Sequence, residues 1–266
     1  MSRFDRDTAI TPSDGGFDVN IDRGWWILVG PNGGYLAAML LRGALEVAGD
    51  DRLPIALTTH YLRPPAEGPA FLEAEIIRRG RSVTSVMTRL SQEGRLIAFA
   101  TAALTAPRSG VMEFCDLAPP AVPKPGECQP WPGQTTEMQI PIAERYETRW
   151  AVGDVPFSGS ERAESGGWIR TEDARGIDAL LLTALTDAWV PALFTRLTEP
   201  SSVAVPTVEL SIYFRDASPR PPGEWALVTF RSQVAAGGYL EEDGEIWSQD
   251  GALLAQSRQL ALLRPS

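Results

Sequence analysis

The chain has 266 residues, of which 44% are hydrophobic and 22% are charged, and its formal net charge is −10 at pH 7. This length corresponds to one large domain or two of ordinary size, and the composition is typical of a globular protein with a substantial core. The negative charge argues against a nucleic-acid partner, because contacts with phosphates need a clustered basic surface.

The sequence predicts no membrane segment. No apolar run reaches the roughly 18 residues that a membrane-spanning helix needs. Residues 1–15 (MSRFDRDTAITPSDG) have no apolar stretch typical of a secretory signal. We therefore expect a cytoplasmic protein.

The sequence contains no ligand pattern for a metal. Cys115 and Cys128 are the two cysteines, and both lie in a Pro-rich segment. Without a secretory signal we expect them to be free thiols. The single histidine and the absence of a close cysteine pair leave no ligand set for zinc. We predict neither a metal nor a cofactor.

The first half of the chain predicts an arm, a strand, a long helix and four further strands. Residues 1–15 are expected to be a loose polar arm. GPNGG at Gly30–Gly34 predicts a turn, followed by an apolar helix with Asn32 as its N-cap and Gly49 at its C-terminal end. Strands are predicted at Phe17–Leu28, Ile55–Leu62, Ala70–Arg78, Ser82–Leu90 and Arg95–Thr105, with a hairpin turn at Ser91–Gly94.

The second half repeats this order after a Pro-rich linker. Proline is frequent between 107 and 141 and periodicity is lost, which predicts an extended segment. A helix is expected from Ile177. Strands are predicted at Arg145–Val152, Gly167–Arg170, Val205–Phe214, Glu224–Gln233, Tyr239–Trp247 and Ala252–Leu263, with a hairpin turn at Ser248–Gly251.

The two halves form an internal repeat. HYLRP (His60–Pro64) corresponds to IYFRD (Ile212–Asp216), and SQEGRLIAFATAALT (Ser91–Thr105) corresponds to SQDGALLAQSRQLALL (Ser248–Leu263). Two copies of one unit predict a pseudo-twofold duplication. Each copy pairs one helix with the apolar face of an antiparallel sheet, which is an α+β arrangement. We expect units at 1–106 and 142–266, joined by the linker at 107–141.

The second predicted helix contains an acid. Gly176–Leu193 (GIDALLLTALTDAWVPAL) is apolar almost all the way round, as in a buried helix. Asp187 interrupts it, and burial of a carboxylate without partners is costly or raises its pKa. Asp187 marks either a functional site or an exposed helix end.

The two copies differ on a face that both should bury. In the first copy this face of the last strand is apolar throughout, whereas in the second copy Gln259 replaces Ala102. A buried amide needs a polar partner, and Asp187 is the candidate. The apolar positions of the first copy are Leu96, Ala98, Ala100, Ala102 and Leu104.

Thr207 opens the strand TVELSIYFR and is a third candidate. Val208, Leu210, Ile212 and Phe214 form the apolar face of that strand. Alternation therefore places Thr207 on the opposite face, away from Asp187 and Gln259. The alternation of this strand alone therefore does not identify Thr207 as a site residue.

These segments together resemble the double-hotdog acyl-CoA thioesterase II family. The resemblance covers most of the chain and is carried by the order and spacing of several strings. The resemblance implies two hotdog units, each a long helix wrapped by an antiparallel sheet. It also implies that an Asp–Thr–Gln trio, Asp187, Thr207 and Gln259, holds an attacking water, while the linker departs from the better-known members. The strings are NGGYLAAML, HYLRP, RGRSV, TDAWVP, TVELSIYFR and QDGALLAQSRQLALLR.

The chemistry implied by the resemblance is thioester hydrolysis of an acyl-CoA. A carboxylate in an apolar site is a suitable base, and a glycine-bearing helix N-terminus can supply N–H donors to the oxyanion. Gly33 and Gly34 are the candidates for binding substrate, although a turn before a helix also explains them. Hotdog proteins associate further, so we expect a homo-oligomer, a dimer or larger, on analogy alone.

Several alternatives stay open at this point. Arg78, Arg79 and Arg81 form a basic cluster that either contacts a small anionic ligand such as CoA or lies solvated at a strand end. A hotdog hydratase or dehydratase is disfavoured, because no histidine accompanies an acid near a helix start, and we expect a structural role for His60. A non-catalytic acyl-CoA- or lipid-binding hotdog protein is the alternative from another class.

Overall fold

The computed structural model describes residues 1–27, 29–107, 110–131, 140–199 and 203–265. Its helices are α1 (Arg3–Asp7), α2 (Gly33–Ala48) and α3 (Ala179–Leu185). Its strands in the first half are β1 (Ile10–Ser13), β2 (Gly16–Ile21), β3 (Leu53–Tyr61), β4 (Gly68–Arg79), β5 (Val83–Gln92) and β6 (Arg95–Thr105). Those in the second half are β7 (Tyr146–Val152), β8 (Ala163–Thr171), β9 (Thr207–Phe214), β10 (Ala226–Ser232), β11 (Ala235–Ala236), β12 (Tyr239–Ser248) and β13 (Leu253–Leu262).

The strands of both halves join in one antiparallel sheet, where the repeat had suggested two. The order is β1-β2-β4-β5-β6-β3-β9-β13-β12-β10-β8-β7, and β11 pairs with β12. The junction pairs the equivalent strands β3 and β9. His60 lies opposite Glu209 and Leu57 opposite Ile212, and the repeat equates His60 with Ile212. Such a self-complementary register is what a twofold axis generates, so the predicted pseudo-symmetry is confirmed.

The helix α2 agrees with its prediction at both ends. Asn32 caps it by accepting a hydrogen bond from the Tyr35 N–H, and Gly49 ends it with φ of 98°. Arg79 donates to the carbonyls of Val47 and Ala48 in the last turn. One member of the basic cluster therefore satisfies helix carbonyls that would otherwise lack partners. The apolar side of α2 packs on β3, β4, β5 and β6.

The helix α3 is much shorter than predicted and ends before Asp187. It covers Ala179–Leu185 with Thr186 as its C-cap. After Leu185 the N–H groups of Asp187 and Ala188 donate to carbonyls three residues earlier, as in a tight turn. Pro191 prevents a helix from continuing past Val190. The apolar pattern indicated burial correctly but not where the helix ends. Asp187 therefore lies in the segment that follows α3.

The N-terminal residues are not a loose arm. Phe4 on α1 is 1% exposed and packs edge-on against Trp25 with ring centroids 5.5 Å apart. Asp5 forms a salt bridge of 2.8 Å with Arg175 from the second half. Within the predicted strand Phe17–Leu28, β2 ends at Ile21 and a 3-10 turn follows at Arg23–Trp25, while Leu28 lies outside the described residues.

The described part of the linker is irregular apart from a 3-10 turn at Pro125–Glu127, and it packs on the sheet through a small aromatic cluster. Pro123 accepts a hydrogen bond of 2.9 Å from the Trp168 indole. Val122 and Cys128 pack against the cluster of Trp168, Trp225, Leu227 and Trp247. Residues 108–109 and 132–139 of the predicted linker lie outside the described residues. Cys115 and Cys128 are both free thiols, as expected.

None of the described helices is long and apolar enough to cross a membrane.

We expect Phe4→Ala to destabilise the protein by about 3–5 kcal/mol, because the truncation leaves a cavity under a fully buried ring. Urea denaturation measures the change in the free energy of unfolding. Phe114→Ala is the control, since Phe114 is 77% exposed and its loss should change stability by less than about 0.5 kcal/mol. Equal stabilities of the two variants would show that the N-terminal helix does not contribute to the core.

Candidate active site

The carboxylate of Asp187 lies against the N-terminus of α2. The Asn32 side-chain amide donates to Asp187 Oδ2 at 2.9 Å, and the Gly34 N–H donates to the same oxygen at 3.1 Å. Asn32 Nδ2 also donates to the Asp187 carbonyl, the group that Pro191 leaves without a helical partner. Asn32 thus caps α2 and binds both the side chain and the backbone carbonyl of Asp187. Since both side-chain bonds end on Oδ2, the other oxygen, Oδ1, is not engaged by either donor.

The pKa of Asp187 is raised by its surroundings. Burial raises it from 3.8 to about 6, and the backbone N–H groups of Gly34 and Gly33 act in the opposite direction. The positive end of the α2 dipole also stabilises the ionised carboxylate and therefore lowers its pKa. Asp187 is therefore ionised at neutral pH and is a stronger base than an exposed carboxylate.

Gly33 and Gly34 lie beside Asp187, and their predicted role in substrate binding stays a prediction. The Gly34 N–H is used by Asp187 and is not free to bind an oxyanion. A Cβ on Gly34 would lie 2.5 Å from the backbone oxygen of Ala184, and one on Gly33 would lie 3.0 Å from Asp187 Oδ2. The two glycines therefore permit the close approach of α2 to α3 and to Asp187.

Thr207 and Gln259 are in direct contact. The Thr207 hydroxyl donates to Gln259 Oε1 at 3.2 Å. A register shift between Leu260 and Ala261 makes Val208 an extra residue in β9, so Ala261 lies opposite Thr207. This bulge reverses the alternation, brings Thr207 to the face of Gln259 and leaves Val208 37% exposed. The expectation from parity is wrong at both positions.

Gln259 also contacts a buried acid that the sequence reasoning missed. Gln259 Nε2 donates to Glu242 Oε1 at 3.1 Å, and the Ala192 N–H donates to Glu242 Oε2 at 2.6 Å. Gln259 is 8% exposed and Glu242 5%. Burial raises the pKa of Glu242 to about 7, with the charge of Asp187 acting in the same direction. The sequence signal for Glu242 was an acid at an inward position of a predicted strand.

Asp187 is not the hydrogen-bond partner of Gln259. In the described part of the chain, the side chain of Asp187 forms no hydrogen bond with Thr207 or Gln259, and the expected direct contact is wrong. The two groups are connected through Glu242, which binds Gln259 on one side and Ala192, five residues after Asp187, on the other. The site therefore has two arms, Asp187 with Asn32 and Gly34, and Gln259 with Thr207 and Glu242.

Aromatic side chains surround Asp187. The Tyr61 hydroxyl donates to the Gly33 carbonyl at 2.8 Å. Burial, and then the charge of Asp187, raise the pKa values of Tyr61 and Tyr146 above the usual range. Trp189 packs on Trp150 with ring centroids 5.4 Å apart. The side chains of Tyr61 and Tyr146 therefore lie close enough to Asp187 to feel its charge.

The remaining candidates lie elsewhere. His60 stacks on Phe99 with ring centroids 4.7 Å apart, and its Nδ1 lies 3.8 Å from Glu209. It takes no part in the Asp187 site. Arg78 and Arg81 are exposed at the strand ends. In the part of the chain that the structure describes, no group of three or more His, Cys, Asp or Glu side chains is placed to hold a metal ion.

This arrangement can activate a water molecule. It offers a carboxylate with one oxygen fixed, a hydroxyl and an amide in defined directions, and an apolar enclosure. These groups suit general-base attack of water on an activated acyl group.

Comparisons with known proteins agree with the fold. A model of an acyl-CoA thioesterase N-terminal domain matches residues 22–106, and one of an acyl-CoA thioesterase C-terminal domain matches residues 125–263. The chain is 26% identical to acyl-CoA thioesterase 2 of Haemophilus influenzae over 251 residues, 87% of each protein. A protein of unknown function with a hot dog fold from Alicyclobacillus acidocaldarius superposes with a TM-score of 0.86 at 27% identity, covering 99% of this chain and 98% of that chain. The fold is also that of an acyl-CoA thioesterase II from Mycobacterium marinum, with a TM-score of 0.79 at 21% identity, covering 99% and 98%.

We expect Asp187→Asn to stabilise the protein at pH 7. A raised pKa in the folded state contributes stability below the unfolded-state value of 3.8, and this stability is lost as pH rises through about 6. A shift of this size corresponds to about 2–3 kcal/mol at neutral pH. The asparagine oxygen can still accept from Asn32 and Gly34.

Urea denaturation at pH 4 and pH 7 tests this expectation. The variant should gain stability over wild type at pH 7 and little at pH 4. Asp14→Asn, at an exposed position, should show no such difference. A variant of Asp187 that is less stable than wild type at pH 7 would contradict a costly buried charge.

Proposed function

The chain belongs to the acyl-CoA thioesterase family and is a thioester hydrolase, and we propose that it converts an acyl-CoA to a free acid and CoA with a water held by Asp187, Thr207 and Gln259. The observation that carries this proposal is the Asp187 carboxylate, which is half-buried, raised in pKa to about 6 and fixed through Oδ2. Carboxylates with perturbed pKa values of this kind cluster at functional sites.

Asp187 is the proposed base. Oδ2 holds the side chain in position, while Oδ1 accepts a proton from the water as the water oxygen attacks the thioester carbonyl carbon. A base with a pKa of about 6 is ionised at neutral pH and still takes a proton effectively. The same apolar surroundings that raise this pKa strengthen the attraction between the carboxylate and the positive charge that develops on the attacking water.

Thr207 and Gln259 are proposed to orient the water. The Thr207 hydroxyl hydrogen is directed at Gln259 Oε1, so the lone pairs of the hydroxyl oxygen are left for a proton of the water. With its protons directed at Asp187 and Thr207, the water presents its own lone pair to the carbonyl carbon. Orientation of this kind removes entropy before the chemical step and accelerates it.

The proposed reaction is balanced without a cofactor. The water oxygen bonds to the carbonyl carbon, the tetrahedral intermediate collapses, and the C–S bond breaks with its electron pair leaving on sulfur. The proton taken by Asp187 returns to the thiolate or to solvent. A thiolate is a good leaving group, so a strong general acid is not required.

The assembly, location and division of the chain stay predictions. The internal repeat supports units at 1–106 and 142–266 joined by a linker at 107–141. The resemblance supports a homo-oligomer, and a cytoplasmic location stays an expectation from the sequence.

We expect wild-type protein to release CoA from at least one member of a panel of short to long acyl-CoAs, measured with a thiol reagent. Asp187→Asn should lower the rate by about 10²- to 10⁴-fold, because it removes the general base and keeps the size of the side chain. Asp14→Asn is the matched control and should retain the wild-type rate.

Other outcomes separate the alternatives. Saturable acyl-CoA binding without release would favour a non-catalytic binding protein. Conversion of an enoyl-CoA with the thioester intact would favour a hydratase. Release that persists in Asp187→Asn would keep the activity and remove Asp187 as its base.

We expect kcat/KM to rise with pH to a plateau, with an inflection near the Asp187 pKa of about 6. The sign follows because only the ionised carboxylate accepts the proton of the water, and kcat/KM reports the free enzyme. An acyl thioester of N-acetylcysteamine is the control, since it has no phosphate that titrates in this range. A profile that is flat from pH 5 to pH 8 with both substrates would contradict the general-base role.

A further inference from the structure

Glu242 is a buried acid that the proposed reaction does not use. Its side chain points inward from β12, and it lies opposite Gln259 in the neighbouring strand β13. In the first half of the sheet the corresponding cross-strand pair is Val86 with Ala102, and both are buried. The fold therefore needs no polar group at this position, and the duplication shows that an apolar pair can fill it.

Both oxygens of Glu242 are engaged. Oε2 accepts from the Ala192 backbone N–H at 2.6 Å, and Oε1 accepts from Gln259 Nε2 at 3.1 Å. Gln259 Oε1 in turn accepts from the Thr207 hydroxyl at 3.2 Å. These bonds form a chain in which each donor points toward Glu242.

A carboxylate at one end sets the direction of this chain. A glutamine amide can bind with its oxygen and nitrogen exchanged, and a hydroxyl both donates and accepts. An ionised carboxylate only accepts, so when Glu242 is ionised Gln259 must turn its NH₂ toward Glu242 and its oxygen toward Thr207. Thr207 must then donate to Gln259, and its lone pairs remain available.

We propose that Glu242 is a positioning residue that fixes the direction of the Glu242–Gln259–Thr207 hydrogen-bond chain and, through it, the orientation of the hydrolytic water. This inference rests on the proposed function. Burial raises the pKa of Glu242 to about 7, so the direction of the chain is fixed in the ionised form that predominates above this pH.

The second contact of Glu242 adds to this role. Ala192 begins a 3-10 turn that follows Asp187 by a few residues. By accepting the Ala192 N–H, Glu242 fixes the segment that carries the base relative to the residues that orient the water. A shift of about 1 Å between such groups can cost 10²-fold in rate.

Substitution by glutamine reverses the chain. In Glu242→Gln the Ala192 N–H requires the oxygen of the introduced amide, so the NH₂ of that amide faces Gln259. Two NH₂ groups cannot hydrogen-bond to each other, so Gln259 turns its oxygen toward the introduced amide and its NH₂ toward Thr207. Thr207 then accepts from Gln259 and donates its hydrogen to a lone pair of the water. That lone pair is no longer available to attack the thioester carbonyl.

The experiment is CoA release by Glu242→Gln at pH 8, above the Glu242 pKa of about 7, with kcat and KM measured separately. We expect kcat to fall by about 10- to 100-fold, as for loss of an oriented hydrogen-bonding group, with KM within about twofold and the melting temperature not lowered. Glu245→Gln is the matched control, because Glu245 lies on the same strand with its side chain on the opposite face, near Arg231. It should retain the wild-type kcat.

A double-mutant cycle separates positioning from a structural role. In a Thr207→Val background the hydroxyl is absent, so Glu242→Gln should cost little further kcat. The same fold loss in both backgrounds, or an unchanged kcat in Glu242→Gln, would overturn the inference. No hydrolysis by wild type would overturn the proposed function as well, whereas an active wild type with these results would overturn only this inference.

An exchanged pair tests the direction even if the single variant does not fold. When Glu242→Gln is combined with Gln259→Glu, the amide introduced at position 242 donates to the carboxylate introduced at position 259. That carboxylate accepts from the Thr207 hydroxyl, so the original direction at Thr207 is restored with the partners exchanged. Hydrolysis above that of Glu242→Gln, or measurable hydrolysis where Glu242→Gln is unfolded, would support the inference. An inactive folded pair would overturn it.

Discussion

The candidate site depends on the placement of one carboxylate where the two helices meet. Asp187 is held by Asn32 and Gly34 of the first half, while its own segment belongs to the second half. The contact requires that α2 approach α3 closely, which the absence of a Cβ at Gly34 permits. The sheet makes this approach possible, because pairing of β3 with β9 joins the halves around both helices. Neither half alone contains the complete site.

The duplication explains why there is one such site and not two. The scaffold is nearly symmetric at β3 and β9, but its interior pairs are not. Val86 and Ala102 fill in the first half the place that Glu242 and Gln259 occupy in the second. An apolar pair stabilises the core at no cost in desolvation, whereas a buried acid and amide stabilise it only if every polar atom is paired. The two sides of the pseudo-twofold axis therefore differ in that one has an apolar pair and the other a hydrogen-bonded polar pair.

The sequence predicted most of the strands and the burial of Gln259, because alternation and the repeat both report which face is buried. It placed Asp187 on a helix, since apolar composition does not report where a helix ends. It could not place Thr207, because a bulge at Val208 reverses the alternation, and only the family resemblance supplied that residue. The docking of Phe4 depends on contacts with residues far along the chain, which local composition does not report.

The repeat did not single out Glu242, because the two equivalent hairpins differ in loop length. The first hairpin has a two-residue loop, Glu93–Gly94, with positive φ at both residues, whereas the second has three residues between Ser248 and Ala252. An alignment without a gap therefore equates Glu242 with Ser85 and not with Val86. A slip of one residue exchanges the two faces of a strand. In such an alignment the acid falls on the outer face of the sheet, where exposed acids are common.

Opposing effects set the pKa of Asp187. Burial raises it to about 6, while the N–H groups of Gly34 and Gly33 at the start of α2 act in the opposite direction. The glycines matter here because a side chain at Gly33 would contact Asp187 Oδ2 and displace it from these donors. The short sequence NGG therefore influences the position and the pKa of an acid that lies more than 150 residues later in the chain.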